Sequence, residues 1–493
     1  MRGKLVLGLL IALTSVAVAD EKGAERAFER AKRTEPELIA FLKRVPKGGD
    51  LHNHASGAYY TDGMLDAAIQ QGLFFDPATS RFGTDSTKVP AKNLLTNNAL
   101  LYQFLNAASM RGWTGEAQSG HDHFFETFGI FGGALNAVPE EEFFAEVIGR
   151  AKRQNLQYME LMAGPSPSDA LNEYFKDTPS SADMARALDI LRPRLEKLLT
   201  ATTKNLDERE KLAARIGQRS FTSADEPMTV RWVYSINRLA SADSFFANAA
   251  AGIFLAAREP RVCAMNMVAP EDHPLSRQNF ESQMRMIDFL WRNLGKPNLT
   301  LHGGELTTAI SPPDAMRDRI RKTIEIGHAK RIGHGVSIAW EDDLDGLFDE
   351  MRKLGIAVEI CLTSNASILG VSGDRHPLRL YRANGIPVFL NTDDEGVSRS
   401  TMTLEWVRAV RDQGMTYRDL KEMARNSIEY SFLPGRSLYE GRNYAQLAGP
   451  FQGARAPGWK QTAEAEQMLR ASEKMRVQLR LERAFVAFES KYP

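Results

Sequence analysis

GGDLHNHASGA, Gly48–Ala58, places two imidazoles one residue apart, after an apolar position and before a small, flexible turn. In an extended segment, His52 and His54 project from one face, because side chains alternate with a period of two. An isolated H-x-H pair is weak evidence for a metal. Its meaning depends on whether other strands end in similar groups.

Working outward, apolar runs recur at Leu156–Gly164, Met228–Ile236, Arg261–Ala269, Asn298–Glu305, Arg331–Val336, Gly355–Asn365 and Gly385–Asp394. With Gly49–His52 they make eight candidate strands. Several follow amphipathic helical stretches such as DDLDGLFDEMRKLG, Asp342–Gly355. Strands alternating with helices argue for a parallel sheet. Eight such units predict an α/β fold of the closed (β/α)8 TIM type. An open doubly wound sheet is the alternative, but no glycine-rich phosphate fingerprint follows the first strand. The barrel is predicted over residues 46–438, with a leader helix over 20–45. A turn-rich insertion is expected at about 74–131, after strand one, and a helical extension over 439–493. Within that extension, Ala463–Glu489 is charged, amphipathic and free of Gly and Pro. It is read as a packing helix, with a homodimer contact as the alternative.

Four predicted strands end in imidazole or carboxylate. Besides His52 and His54, these are His302, with Glu305 three residues later, then His334, then Asp393 and Asp394. In barrels of this type, reactive groups come from the C-terminal ends of several strands. Three neutral imidazoles and one carboxylate suit Zn²⁺, with a position left for water that the ion acidifies. A carboxyl beside such an ion can protonate a ring nitrogen while water adds to the adjacent carbon, and Glu305 fits that general-acid role. His334 can orient the water and stabilise its developing charge.

Composition narrows the function classes. The chain has 493 residues, 43% hydrophobic and 25% charged, and its 62 basic residues equal its 62 acidic ones. Such a balance offers no basic surface for nucleic acid or an anionic membrane. Arg2 and Lys4, the apolar Leu5–Val16 and the small-x-small Ala17-Val18-Ala19 read as a secretory signal peptide cleaved after Ala19. Cleavage removes two basic residues and no acid, leaving 60 against 62. The mature protein is expected to be periplasmic or secreted, with no membrane span. Cys263 and Cys361 are read as two buried thiols rather than a disulfide. Neither belongs to a C-x-x-C pair, which excludes the zinc deaminase pattern built on H-x-E and P-C-x-x-C.

PKGGDLHNH (46–54), LHGGE (301–305), RIGHG (331–335) and NTDD (391–394) together resemble the signatures of the adenosine deaminase family, over a span from Pro46 to about Tyr430. PKGG, the leader and NMVAPED (266–272) are similar to its secreted, growth-factor-related branch. The resemblance implies that His52, His54, His302 and Asp393 hold one Zn²⁺ per chain. It implies Glu305 as proton donor, His334 as the water-orienting group and Asp394 as the contact to the N7 side of the purine. It also points to Ala269, where the family has a glycine that touches substrate, and to Ser56, where many members have an aspartate that touches the ribose. Phe124 and Phe128, one turn apart in HDHFFETFGIF (121–131), are expected over the purine or ribose, with core packing as the alternative. The second H-x-H, His121 and His123, sits in a helical pattern, where i and i+2 diverge. Glu395, often proline in the family, is a candidate for the ribose contact that Ser56 lacks. The implied function is zinc-dependent hydrolysis of adenosine and 2′-deoxyadenosine to the inosines and ammonia. Alternatives are the same chemistry on adenine or on 5′-modified or N6-substituted adenosine, and a catalytically silent extracellular binding protein.

Overall fold

Runs that are apolar on nearly every residue rather than on alternate ones, such as VCAMNMV, need cover on both faces of their sheet. The computed structural model, which describes residues 21–441 and 443–492, supplies that cover. The expected signal peptide lies outside the described residues. Eight parallel strands form at the predicted places: β1 Gly48–His54, β2 Leu156–Met162, β3 Thr229–Asn237, β4 Val262–Val268, β5 Thr300–Gly303, β6 Arg331–His334, β7 Ala357–Ile360 and β8 Val388–Leu390. They pair in sequence order as two four-stranded halves, β1 to β4 and β5 to β8. Parallel bridges Met265–Leu299 and Asn53–Asp393 join the halves at both edges, so the ring closes into a (β/α)8 barrel. The second bridge lies beside His54 and uses Asp393 itself, so barrel closure and the site occupy the same place.

The base of the barrel is sealed by groups the motifs do not advertise. Lys47, just before β1, is buried and donates Nζ–H to the carbonyls of Leu42 (2.6 Å), Val45 (3.1 Å) and Gln154 (2.9 Å). Burial lowers its ammonium to about 7. The single leader helix expected over 20–45 is two helices, Glu21–Ala31 and Glu35–Leu42. The break falls at Thr34, whose hydroxyl accepts from Glu37 N–H, and at Pro36, which is tolerated only in a first helical turn.

The insertion after β1 folds as a small antiparallel sheet of Phe74–Asp76, Arg81–Gly83 and Val89–Pro90, followed by helices Asn98–Ala107 and Gly120–Leu135. The last helix runs four residues beyond the expected boundary. The Ala463–Glu489 stretch is likewise two helices, Ala463–Arg470 and Glu473–Glu489, because Ser472 caps the second through Met475 N–H. That second helix packs on the barrel near the strand N-terminal ends: Arg480 donates to Gln157 O and to Thr229 Oγ1. Both cysteines are buried and free. Among the described residues, no helix is long and apolar enough to cross a membrane.

Glu482 anchors this extension. Its carboxylate receives Arg425 Nε (2.7 Å), Arg455 Nε (2.8 Å) and the Tyr439 hydroxyl (2.9 Å). Burial alone would raise its carboxyl, but the two guanidinia outweigh burial and bring it down to about 2. A carboxyl depressed in the folded state contributes stability that is full above its unfolded value and lost as pH falls through the folded one. Glu482→Gln is therefore expected to lower stability by about 3 kcal/mol at pH 7, by leaving two half-buried guanidinia without their buried partner. In thermal unfolding, its deficit against wild type should shrink as pH falls from about 4.5 toward about 2.

Candidate active site

At the C-terminal mouth, four side chains from two strands, β1 and β5, and the loop after β8 converge. His52 Nε2 and His302 Nε2 are 3.1 Å apart, and His54 Nε2 lies 3.3 Å from each. Asp393 Oδ1 lies 3.5 Å from His52 Nε2 and 3.3 Å from His54 Nε2. The neighbours of two imidazoles show what these contacts are. His52 Nδ1 is 2.6 Å from Glu359 Oε2, and His302 Nδ1 is 3.1 Å from Asn266 Oδ1. Both oxygens only accept, so both rings donate Nδ1–H outward and turn Nε2 lone pairs toward each other. Lone pairs at that separation repel unless a cation lies between them. An ion about 2.0–2.1 Å from each of four tetrahedral ligands sets the ligands about 3.3 Å apart. Donor set and spacing therefore fit a divalent ion of zinc size.

Electrostatics agree. Burial drives His54 down to about 4, and His302 well below its ordinary value, so both rings stay neutral. Burial would also lower His52, but Asp393 and Glu359 outweigh it and raise His52 to about 10, so the centre of the cluster favours positive charge. Glu359 is itself buried inside the barrel, where its other oxygen receives Thr300 Oγ1 and Arg331 Nε, each at 2.6 Å. Arg331 also bonds Glu160, which in turn accepts from the Tyr158 hydroxyl (2.9 Å). An ionic chain across β2, β6 and β7 thus fixes the tautomer and orientation of His52 on β1.

Glu305 and His334 stand beside this cluster. In LHGGE, Gly304 takes φ +78, and a Cβ there would lie 2.8 Å from Ser337 Oγ. That turn aims two backbone N–H groups, of Gly304 (3.1 Å) and Glu305 (2.8 Å), at the buried Glu271 carboxylate. Glu271 also pairs with Arg319 (3.0 Å). Burial first, then the Asp393 and Glu271 charges, push the Glu305 carboxyl up to about 8, so it holds its proton at neutral pH.

His334 has its tautomer set from a distance. Leu378 N–H donates to His376 Nδ1 (3.1 Å), leaving His376 Nε2–H to donate to Asn365 Oδ1 (3.1 Å). Asn365 Nδ2 then donates to His334 Nδ1 (3.0 Å), which assigns the proton of His334 to Nε2. That Nε2–H is buried without a protein acceptor among the described residues, 3.9 Å from Asp393 Oδ2. Three non-glycine residues around the mouth hold left-handed backbone: Ala269 (φ 86), His334 (φ 66) and Asp393 (φ 57). Such strain, roughly 1–3 kcal/mol each, persists where surrounding structure over-determines it.

Above the cluster lies a cavity of about 460 Å³. Its lining includes His54, Ser56, Ala269, His302, Glu305, His334, Asp393 and Asp394, and its roof is Phe124, Phe125 and Phe128 of helix Gly120–Leu135. Of the ligand, catalytic and substrate-contact residues that the resemblance implies, all but the buried His52 reach this cavity. Asp394 Oδ1 is buried without a protein partner among the described residues, and burial and the Asp393 charge raise its carboxyl well above the usual range. Gly57 makes room for it: a Cβ there would lie 1.7 Å from Asp394 Oδ1. Glu395 is not at the cavity. It is buried in an ion pair with Arg150 (3.0 Å) and accepts from Gln154 (3.0 Å), so it cannot replace the missing carboxylate at Ser56. His121 and His123 do not meet a common ligand: one bonds Asp272 (2.9 Å), the other Ser109 O (3.0 Å). Sequence reading missed Phe125, Asn266, Glu271, Glu359 and the Asn365–His376 pair as functional groups. Asn266 and Glu271 lie in the quoted NMVAPED run, but only the folded chain shows which groups they hold.

The family model described as adenosine deaminase matches residues 140–438, more than half of the chain. The matched stretch contains His302, Glu305, His334 and Asp393 and begins after His52 and His54. Among curated relatives, aminodeoxyfutalosine deaminase of Streptomyces coelicolor is 34% identical over 139 residues, 28% of this chain and 33% of that protein. Adenosine deaminase of Plasmodium gallinaceum is 32% identical over 163 residues, 33% of this chain and 42% of that protein. The chain thus spans well under half the length of the curated relatives it matches. Two solved structures share the fold at low identity. The Arabidopsis N6-mAMP deaminase has a TM-score of 0.51 at 19% identity, over 80% of this chain and 95% of that one. The adenine deaminase of Arthrobacter aurescens has a TM-score of 0.50 at 16% identity, over 79% and 94%.

The cage and its supports generate a binding prediction. Elemental analysis of the purified protein should find one divalent ion per chain, and His302→Ala should lose it. Glu359→Gln should keep the site but weaken it 10- to 100-fold in competition with a chelator, since it removes the support of one ligand. Stoichiometric metal in His302→Ala would place the ion elsewhere.

Proposed function

We propose, from the premise that the chain belongs to the adenosine deaminase family, that it hydrolyses the exocyclic amine of a 6-aminopurine nucleoside, with adenosine and 2′-deoxyadenosine as the parent substrates and Zn²⁺ as the ion. The observation that carries this reading is the meeting of a four-ligand cage, a protonated buried Glu305 and a neutral His334 in one cavity. When bound, a divalent ion supplies Lewis acidity that makes water a nucleophile near neutral pH.

The residues divide the remaining work. Glu305, uncharged at neutral pH, gives its proton to ring nitrogen N1 as the water oxygen bonds C6. His334 presents Nε2–H to the attacking oxygen and to the charge it develops. Asp394, also held protonated, donates to the N7 lone pair and fixes which edge of the ring faces the cage. The proton that water loses on bonding C6 returns to Glu305, which passes it to the exocyclic amine and takes the C6 hydroxyl proton in its place; the C6–N bond breaks, ammonia leaves, a 6-oxopurine nucleoside remains and Glu305 is again protonated. A phenylalanine roof excludes bulk water, which strengthens each of these polar contacts. A silent binding protein would have no use for a buried acid held in its neutral form beside the cage.

Glu305→Gln keeps the shape and removes the proton. It is expected to retain the metal and to lose turnover by about 10²-fold or more, as for a positioned general acid. Because the active form of Glu305 is the protonated one, wild-type kcat/KM should fall as pH rises through its ionisation. Ammonia release followed across pH in both proteins checks this, and a near-normal kcat in the variant would remove Glu305 from the reaction.

A further inference from the structure

A second cavity, of about 740 Å³, adjoins the first, and His54, Ser56 and Val268 line both. Its walls are mostly apolar, with Phe143, Phe144, Leu171 and Phe175 among them, and these four come from helices that carry no ligand of the cage. Ser56 is exposed at the junction. The first cavity already falls within the range that holds a small ligand, so a nucleoside alone leaves the larger space without a role.

The polar groups of the catalytic cavity set the direction of entry. Glu305, His334 and Asp394 sit with the cage, so the reacting edge of the purine faces them and the sugar lies toward the rim at Ser56. C5′, the sugar carbon farthest from the base, is then the atom that reaches the junction. The charge of the second cavity selects what it would take there. Among the described residues its one lining guanidinium or ammonium, Arg209, is already answered: Nε lies 2.7 Å from Glu140 Oε1, and Nη1 donates to Gly164 O at 2.9 Å. A phosphate would bring about two negative charges into apolar walls with no free counter-cation. An uncharged apolar group would meet the aromatic walls. Ser235, whose buried hydroxyl has no protein partner among the described residues, adds a single polar contact point.

We infer that this second cavity is a subsite for a 5′-substituent, and that the favoured substrate is a 6-aminopurine nucleoside carrying an uncharged apolar group of aromatic size at C5′. This rests on the aminohydrolase reading above for the chemistry, though not for the fit of the tail.

The test compares kcat/KM of the metal-loaded protein on adenosine, 5′-deoxy-5′-(phenylthio)adenosine and adenosine 5′-monophosphate. The phenylthio nucleoside should exceed adenosine by tenfold or more, and the monophosphate should fall at least 100-fold below adenosine. A smaller phenylthio advantage, or a monophosphate used as well as adenosine, overturns the inference. Leu171→Trp, which fills the second cavity from a residue that does not line the first, should lower the phenylthio value at least tenfold and leave adenosine within twofold. Equal loss on both substrates in a folded variant overturns it. Should the variant fail to fold, the wild-type ratios decide alone. If none of the three is deaminated, the aminohydrolase reading falls and calorimetry still judges the subsite: phenylthio binding tenfold tighter than adenosine upholds it, and equal or weaker binding overturns it.

Discussion

Three imidazole nitrogens and a carboxylate oxygen are aimed at one point, and two of those nitrogens face each other with lone pairs at 3.1 Å. A single proton bridges only one pair of these four atoms, whereas one divalent cation answers all four. The rest of the molecule is organised around that demand. β1 and β8 meet through the Asn53–Asp393 bridge, so the step that closes the barrel also brings the carboxylate to the imidazoles. Asp393 N–H donates to His52 O (2.9 Å) and His54 N–H donates to Asp393 O (3.1 Å), so the backbone around the ligands is itself part of the seam.

The second level of organisation is a set of buried ions that never touch the cavity. Glu160, Arg331 and Glu359 lie inside the barrel with almost no access to water. Burial would raise the Glu359 carboxyl, but Arg331 and His52 outweigh it and hold it at about 2. Desolvating such charges is costly, and breaking one link leaves its partner stranded. The return on that cost is orientation, since the chain ends on His52 Nδ1. Glu271, with Arg238 and Arg319, plays the matching part for the LHGGE turn. A third set, Asn365 and His376, is neutral and acts only by deciding where a proton sits on His334.

The roof and the rim give the site its individual character. Helix Gly120–Leu135 belongs to the insertion after β1, and its phenylalanines close the cavity from above. At the rim, Ser56 stands where many family members have a carboxylate, and Glu395 is committed to Arg150. Ala269 keeps the left-handed backbone, φ 86, of a position where the family has glycine, and so carries a methyl into the cavity at some conformational strain. The cage, acid and water-orienting imidazole are untouched by these departures. They alter the end of the cavity where the sugar and its substituents lie.

Much of this was legible in the chain itself. Eight apolar runs alternating with helical stretches identify the barrel, since strand patterns depend on local sequence and period. Imidazoles and carboxylates at the ends of those runs identify the ligands and the acid, because parallel strands in a barrel deliver their C-terminal ends to one mouth. Local signals also misled where a single residue breaks a helix. Thr34 with Pro36, and Ser472, each divide what hydrophobic periodicity presents as one element. What only the tertiary structure decided is who stands behind each reactive group. Glu359 lies 307 positions from His52, Asn266 lies 36 from His302, and Glu271 lies 34 from Glu305. No spacing rule links such residues, because their contact arises from ring closure rather than from any helical or strand period. The same is true of the second cavity, whose walls come from several separate parts of the chain and become a single surface only when the barrel has closed.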